Sequence, residues 1–285
     1  MNALLKFFSM IKFEHTIFAL PFAYIGMMLG FGDNDASVKI IILVTVAMAS
    51  ARTAAMALNR IIDRKIDAAN ERTKKRELVT GEVKLKSAYL FTFLSIIIFE
   101  LTTYFINDLA FKLSPVALFF LLTYSYTKRF TLLSHLYLGA TDAIAPLGGY
   151  VSASGNLNNP GIWYLAIFVA LWIAGFDILY ATQDEKFDRK YGLHSIPVAF
   201  GTYKALNIAK IFHLVGFAFL VVSIYQFSLN AIAYFGALIV AILLIVEHRL
   251  VDPNDLTKVN IAFFNINGYI SVVLFFTFLI GKYYA

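Results

Sequence analysis

Asn59-Arg-Ile-Ile-Asp63-Arg-Lys-Ile-Asp67 closes one long apolar run, and Tyr180-Ala-Thr-Gln-Asp184-Glu-Lys-Phe-Asp188 closes another. In each segment polar residues recur at every fourth position. Steps of four on an α-helix keep side chains on one face, one turn or about 6 Å apart. Asp63 and Asp67 are therefore expected to point the same way, and so are Asp184 and Asp188. Four carboxylates held at a membrane surface repel one another unless something cationic joins them. Mg²⁺ is the economical candidate, because this hard ion prefers carboxylate oxygen and shares its shell with water and substrate phosphates. A single DxxxD at a helix end is ordinarily a solvated pair of charges. Two copies at matched spacing in an apolar chain argue for a metal site.

The chain around these segments has 285 residues, of which 60% are hydrophobic and 15% charged, with a mean hydropathy of +0.72. A soluble domain of that size has no interior large enough for so much apolar surface, so a polytopic, all-α membrane protein is expected. There is no cysteine. That excludes a disulfide scaffold, a thiolate metal site and a cysteine nucleophile. The five histidines are scattered and form no HExxH-like zinc signature. Residues 1–12 carry no small-residue cleavage site ahead of the first span, so no cleavable signal peptide is expected.

Apolar runs long enough to span fall at about 15–32, 38–58, 88–106, 109–127, 137–153, 161–180, 205–225, 229–247 and 261–280, nine helices by the length rule. The connections alternate in character. Residues 32–37 hold Asp33 and Asp35 without a base, and 154–160 and 226–230 are uncharged. The others are basic: Arg60 to Lys86, Lys128-Arg129, and Lys186 to Lys204. This alternation accounts for the net charge of +6 without a nucleic-acid partner. By the positive-inside rule it puts the basic loops and the N-terminus in the cytoplasm and the C-terminus outside. Both aspartate segments then face the cytoplasm.

The two segments are also related by an offset. Adding 121 to Asn59, Asp63 and Asp67 gives Tyr180, Asp184 and Asp188, and the same step carries Lys128 to Arg249. Two pseudo-repeated four-helix halves in one orientation, plus a ninth helix, are expected, with the site between the halves.

Charge at membrane depth is expensive and usually functional or paired. Arg52 lies seven residues before Asn59, and Asp177 seven before Asp184. Both are expected to line the cavity beneath the metal site, or to pair with one another as a structural ion pair. Asp142 in the fifth span has no neighbouring motif, and Glu14 and His15 read as interfacial. Ala47, Ala49, Ser50, Ala51, Thr53, Ala54, Ala55 and Ala57 form a small-residue packing surface, and Pro21, Pro115 and Pro146 are expected to kink their helices. In the loop from Glu71 to Lys86, Arg72, Lys74, Lys75 and Arg76 have the reach to meet a diphosphate; the alternative is a solvated, disordered connection. Tyr191-Gly-Leu-His-Ser195-Ile-Pro197 reads as a helix start, with Ser195 as N-cap and Pro197 in the first turn.

Carboxylate-bound Mg²⁺ with Arg and Lys is the equipment for neutralising a leaving diphosphate. With Phe 28 and Tyr 16, ring faces lining a cavity are available to stabilise a carbocation. A site inside the bilayer also takes an isoprenoid tail sideways from lipid.

Asn59-xxx-Asp63-xxx-Asp67 and Asp177-xx-Tyr180-Ala-xx-Asp184-xxx-Asp188 resemble the two signature motifs of the UbiA superfamily of intramembrane prenyltransferases. Tyr124-xxx-Lys128-Arg129 and Arg52 match positions common in that family. The resemblance covers essentially the whole chain, so residues 1–285 are expected to form a single prenyltransferase membrane domain. IKFEHTIFALPFA and GFDILYATQDEKFDRKYGLHSIP are most similar to 4-hydroxybenzoate polyprenyltransferase-like proteins of bacterial ubiquinone and menaquinone synthesis. Asp142, in LGATDAIAPLGGY, departs from the neutral residue of many relatives. The resemblance implies a bacterial inner-membrane enzyme that moves a polyprenyl group from a polyprenyl diphosphate to a ring carbon of an aromatic acid, 4-hydroxybenzoate or a dihydroxynaphthoate. It implies Mg²⁺ held by Asp63, Asp67, Asp184, Asp188 and Asn59, and substrate binding by Arg52, Lys128, Arg129, Tyr180 and Tyr124. Asp177 is then the candidate for removing the ring proton. Two other readings stay open at this point: transfer to a non-quinone acceptor such as haem or a chlorophyllide, and a cation-coupled transporter.

Overall fold

The computed structural model describes residues 3–11, 16–32 and 36–284. Glu14, His15, Asp33 and Asp35 lie outside the described residues. In chain order the helices begin with α1 (Ala3–Met10), α2 (Thr16–Gly30), α3 (Val38–Ala69), α4 (Glu77–Thr80), α5 (Leu85–Ile106), α6 (Asp108–Thr127), α7 (Ser134–Asp142) and α8 (Ile144–Ser154). They continue with α9 (Pro160–Ala181), α10 (Glu185–Tyr191), α11 (Ile196–Phe200), α12 (Thr202–Gln226), α13 (Ala231–Leu250), α14 (Val259–Ile261) and α15 (Asn267–Tyr283). Among the described residues no strand forms beyond an isolated bridge between Asp252 and Asp255. The fold is all-α.

Seven described helical segments are long and apolar enough to cross a bilayer, which makes this an integral membrane protein. Two of the nine expected spans differ from that pattern. The described part of the first, α2, has 15 residues. The expected span 137–153 is divided at Ala143 into α7 and α8. Pro146 explains the division: it has no N–H for the Asp142 carbonyl, and its ring crowds that oxygen. The last regular bond before the break runs from the Ala143 N–H to the Gly139 carbonyl at 2.9 Å. The stretches that carry the two motifs, Val38–Ala69 and Pro160–Tyr191 with its internal turn, each span 32 residues.

One compact unit holds α1 and α3 to α6. Ser37 caps α3 by accepting from the Ile40 N–H. The small-residue surface is buried as expected at Ser50, Ala51, Ala54, Ala55 and Ala57. It packs on α5, whose buried residues include Ala88, Thr92 and Ser95; small side chains let the two backbones approach where lipid offers no hydrophobic drive. The tight turn between α5 and α6 is the single residue Asn107, whose Oδ1 accepts from the Ala110 N–H at 2.8 Å and caps α6. The loop after α3 is folded rather than disordered. Leu78 of α4 is buried with Phe7, Met10, Ile11, Ala57 and Val83, and Ser9 Oγ donates to Glu77 Oε1 at 2.6 Å.

The second unit holds α2 and α7 to α15, so the first span packs with the later part of the chain. Helix α9 runs through its centre, burying Phe168, Trp172 and Ile178. Helices α2 and α8 approach so closely that a Cβ at Gly26 would sit 2.0 Å from the Pro146 carbonyl oxygen, and one at Gly149 as close to that of Ala23.

A buried polar network joins α9, α12, α13 and α15. Trp172 Nε1 donates to Asn267 Oδ1 (2.8 Å), and the Asn267 amide donates to Glu247 Oε1 (2.8 Å). His213 lies with Nε2 3.1 Å from the Trp172 carbonyl and Nδ1 3.0 Å from His248 Nε2. Asn267 also donates to the carbonyls of Ala262 (3.3 Å) and Phe263 (3.1 Å). These lie in a wide π turn, Ala262–Ile266, between α14 and α15, where the extra residue frees carbonyls that a regular helix would pair. Asn267→Leu should therefore orphan Trp172 Nε1, Glu247 Oε1 and two carbonyls, at about 1–3 kcal/mol for each buried group left unpaired. A fall of the thermal unfolding midpoint in detergent is expected; an unchanged midpoint would show that the network does not hold the fold.

Candidate active site

Helix α3 continues unbroken past the apolar run to Ala69, so Asn59, Asp63 and Asp67 share a face of one helix, as the spacing predicts. Asp63 and Asp67 are buried, 6% and 5% exposed. Both carboxylates have partners. Asn59 Nδ2 donates to Asp63 Oδ2 (3.0 Å) and to Ser125 Oγ (3.0 Å), which ties the motif to α6 beside Tyr124. Arg60, itself buried, donates from Nη1 to Asn59 Oδ1 (3.3 Å) and from Nε to the Met10 carbonyl (3.1 Å). Arg76 places Nη1 2.6 Å from both oxygens of Asp67. Thr73 Oγ1 donates to the Asp67 carbonyl at 3.1 Å, and Arg64 Nε to the Leu78 carbonyl at 3.2 Å. The basic loop thus folds back on the end of α3. Arg52 lies two turns before Asn59 on the same helix.

The second motif is built differently. Helix α9 ends at Ala181, a tight 3-10 turn covers Thr182–Asp184, and α10 begins at Glu185. Asp184 and Asp188 are therefore not on one uninterrupted α-helix, contrary to the spacing argument. The local cause is hydrogen bonding at the turn. Thr182 Oγ1 donates to the Leu179 carbonyl (2.6 Å) and Gln183 Nε2 to that of Tyr180 (3.3 Å), competing with the regular ladder. Asp188 is buried, 4% exposed, and its backbone carbonyl accepts from the Leu193 N–H at 2.9 Å. Gly192, at φ +74°, supplies the left-handed residue that lets the chain reverse there. Ser195 caps α11 by accepting from the Val198 N–H at 3.2 Å, with Pro197 in the first turn, as expected.

Lys128 and Arg129 form the turn after α6. The Lys128 carbonyl accepts from the His194 N–H at 2.7 Å, which fastens this basic pair to the loop that follows the second motif. Tyr180 packs its ring on Phe263 with centroids 4.3 Å apart. Asp177 pairs with His135, Nδ1 to Oδ2 at 2.7 Å, where the sequence had suggested Arg52 as its partner. Sequence reasoning overlooked His135, Arg60 and Ser125. A histidine in an apolar stretch was itself a signal. Arg60 and Ser125 are neighbours in sequence of singled-out residues, and adjacency on a helix argues against shared facing.

The donor set suits a hard cation: carboxylates and one amide, with no thiolate in the chain. Among the described residues no three His, Asp or Glu side chains converge at metal-binding spacing. In this arrangement Arg76 supplies the positive charge at Asp67. The residue types fit magnesium.

An all-helical integral membrane protein with carboxylates buried at the end of one long helix and just past another, and a basic loop folded on the first, is of the class that handles charged substrates at a bilayer. The UbiA prenyltransferase family profile matches residues 19–269, and the chain belongs to that family. It is a prenyltransferase. It is 31% identical over 275 residues to 4-hydroxybenzoate octaprenyltransferase of Vibrio campbellii, covering 96% of this chain and 92% of that protein. The apo structure of a UbiA homolog from Aeropyrum pernix K1 is similar at a TM-score of 0.85 and 34% identity, covering 94% of this chain and 98% of the other. A UbiA homolog from Archaeoglobus fulgidus, bound to DMAPP and Mg²⁺, shares the fold at a TM-score of 0.65 and 23% identity, covering 94% and 99%.

Proposed function

We propose that this prenyltransferase moves a polyprenyl group from a polyprenyl diphosphate to a ring carbon of an aromatic acid, 4-hydroxybenzoate first and a dihydroxynaphthoate second. The observation that carries the acceptor is the likeness, over nearly the full length, to proteins named 4-hydroxybenzoate octaprenyltransferase. Residues 1–285 serve this reaction as a single domain. Asp63, Asp67 and Asn59, with Asp184 and Asp188, would hold magnesium, which when bound neutralises charge on the departing diphosphate. Lys128 and Arg52 add fixed positive charge, and Arg129 takes the acceptor's carboxylate. Tyr124 and Tyr180 line the substrates. The allylic C1–O bond breaks and the diphosphate leaves with the electron pair. The ring then forms a carbon–carbon bond to C1 ortho to its hydroxyl, and Asp177 accepts the ring proton as aromaticity returns.

Membranes supplied with Mg²⁺, labelled polyprenyl diphosphate and a panel of aromatic acids test the reading. Labelled prenyl-4-hydroxybenzoate is the expected product. Transfer only to a non-quinone acceptor overturns it.

We infer from the charge bias that the active side faces the cytoplasm. Cysteines placed at Lys74 and Lys186 should be labelled only from the cytoplasmic side, and one at Asn158 only from outside. The absence of native cysteine makes the labelling specific. Labelling of positions 74 and 158 from one side would refute the topology.

A further inference from the structure

His135 sits at the start of α7, 3% exposed, between two fixed partners. Its Nε2 accepts from the Ile196 N–H at 3.4 Å, so that nitrogen carries a lone pair rather than a proton. The neutral ring must then carry its proton on Nδ1, which lies 2.7 Å from Asp177 Oδ2 and donates to it. Among the described residues no other side chain hydrogen-bonds Asp177. One carboxylate oxygen is thus occupied by a fixed donor. The other is left to act, on a side chain still 25% exposed. The Ile196 N–H belongs to the cap of α11, directly after the loop of the second motif, so the imidazole is oriented by that loop and passes the orientation to Asp177.

We propose that His135 is a positioning residue that holds the Asp177 carboxylate aimed as the proton acceptor; this rests on the aromatic-acid reading above. When the ring bonds the allylic carbon, its proton passes to the free oxygen of Asp177, and the C–H electron pair returns to the ring. His135 keeps its own proton throughout. Asp177 then releases the acquired proton to water.

The side-chain geometry supplies the test. Asparagine can place an N–H where Nδ1–H stands, whereas glutamine reaches the Nε2 position facing Ile196. The full-length protein in liposomes is assayed with Mg²⁺, octaprenyl diphosphate and the acceptor that the panel identifies, deuterated at its reacting ring carbons. Without an oriented base, proton removal limits the rate. His135→Gln should therefore lower kcat about tenfold or more, a part of the roughly 100-fold or greater contribution of a general base, since Asp177 itself remains. The KM for the diphosphate should stay unchanged, and a primary isotope effect larger than that of the unmodified protein should emerge. His135→Asn should restore most of the rate and remove the added isotope effect. The proposal is overturned if His135→Gln matches the unmodified protein, or if both variants lose rate with no change in isotope effect. Should His135→Gln fail to fold, as read by thermal unfolding, a folded His135→Asn that loses kcat tenfold overturns it equally. Failure of the unmodified protein to prenylate any aromatic acid refutes the acceptor reading instead.

Discussion

Asparagine in place of Asp188 should lower prenyl transfer about 100-fold or more, even in excess magnesium, because one charged oxygen aimed at a polar transition state is worth about that much. The substitution keeps the side chain's shape and volume. The turn to Leu193 depends on the Asp188 backbone carbonyl, which the change leaves in place. Losses of similar size are expected for Asp63→Asn, Asp67→Asn and Asp184→Asn, and for the unmodified protein in EDTA. Asp67→Asn has a second consequence: it weakens the grip of Arg76, which now holds both carboxylate oxygens at 2.6 Å. Purified protein in liposomes, assayed with labelled polyprenyl diphosphate, measures all of these. Full activity in EDTA, or in two of the four variants, refutes the metal assignment.

Arg129→Ala should weaken use of a hydroxybenzoate or naphthoate acid by about 2–3 kcal/mol, the scale of a lost charged hydrogen-bonding partner. A guanidinium presents a planar fork that matches a carboxylate bidentately, whereas an ammonium is a mobile point charge suited to a diphosphate. The pair lies in one turn, fixed by the bond from the His194 N–H to the Lys128 carbonyl. Alanine at 128 therefore preserves the backbone anchor while deleting the charge. Lys128→Ala should raise the KM for the prenyl diphosphate and leave acceptor choice alone. The Arg129 effect should shrink for an acceptor without a carboxylate. If Arg129→Ala harms both kinds of acceptor equally and raises only the diphosphate KM, the two roles are reversed.

The all-helical membrane fold was legible because lipid demands it: long apolar runs bounded by loops of alternating charge admit few other structures. The first motif read correctly, since its spacing of four is the spacing of the helix that carries it. The second carries the same spacing, but its helix is interrupted: Thr182 and Gln183 hydrogen-bond to preceding carbonyls, and the chain tightens into a 3-10 turn ahead of Asp188. Composition gave no warning of that, as Thr and Gln also occur inside regular helices. The division at Ala143 was half visible. Pro146 announced a kink, but a kinked helix and two short helices have the same sequence pattern. Pairings across elements were the least accessible. Arg76 to Asp67 and His135 to Asp177 depend on how a loop or a neighbouring helix returns, which periodicity does not encode.

The π turn at Ala262–Ile266 gives the last helix a tolerance to length that composition hides. One residue in excess of the regular ladder is wound into it, and Asn267 is the clasp. Deleting a single residue between Phe263 and Ile266 would let the ladder close as an ordinary α-helix. The segments on either side would keep their facing, because a π turn absorbs its surplus residue locally. Phe263 would still meet Tyr180, and Asn267 would still meet Trp172 and Glu247. What would go is the widening that leaves the Ala262 and Phe263 carbonyls to the Asn267 amide. The same deletion within the regular part of α15 would rotate everything beyond it by about 100°, the angle one residue subtends.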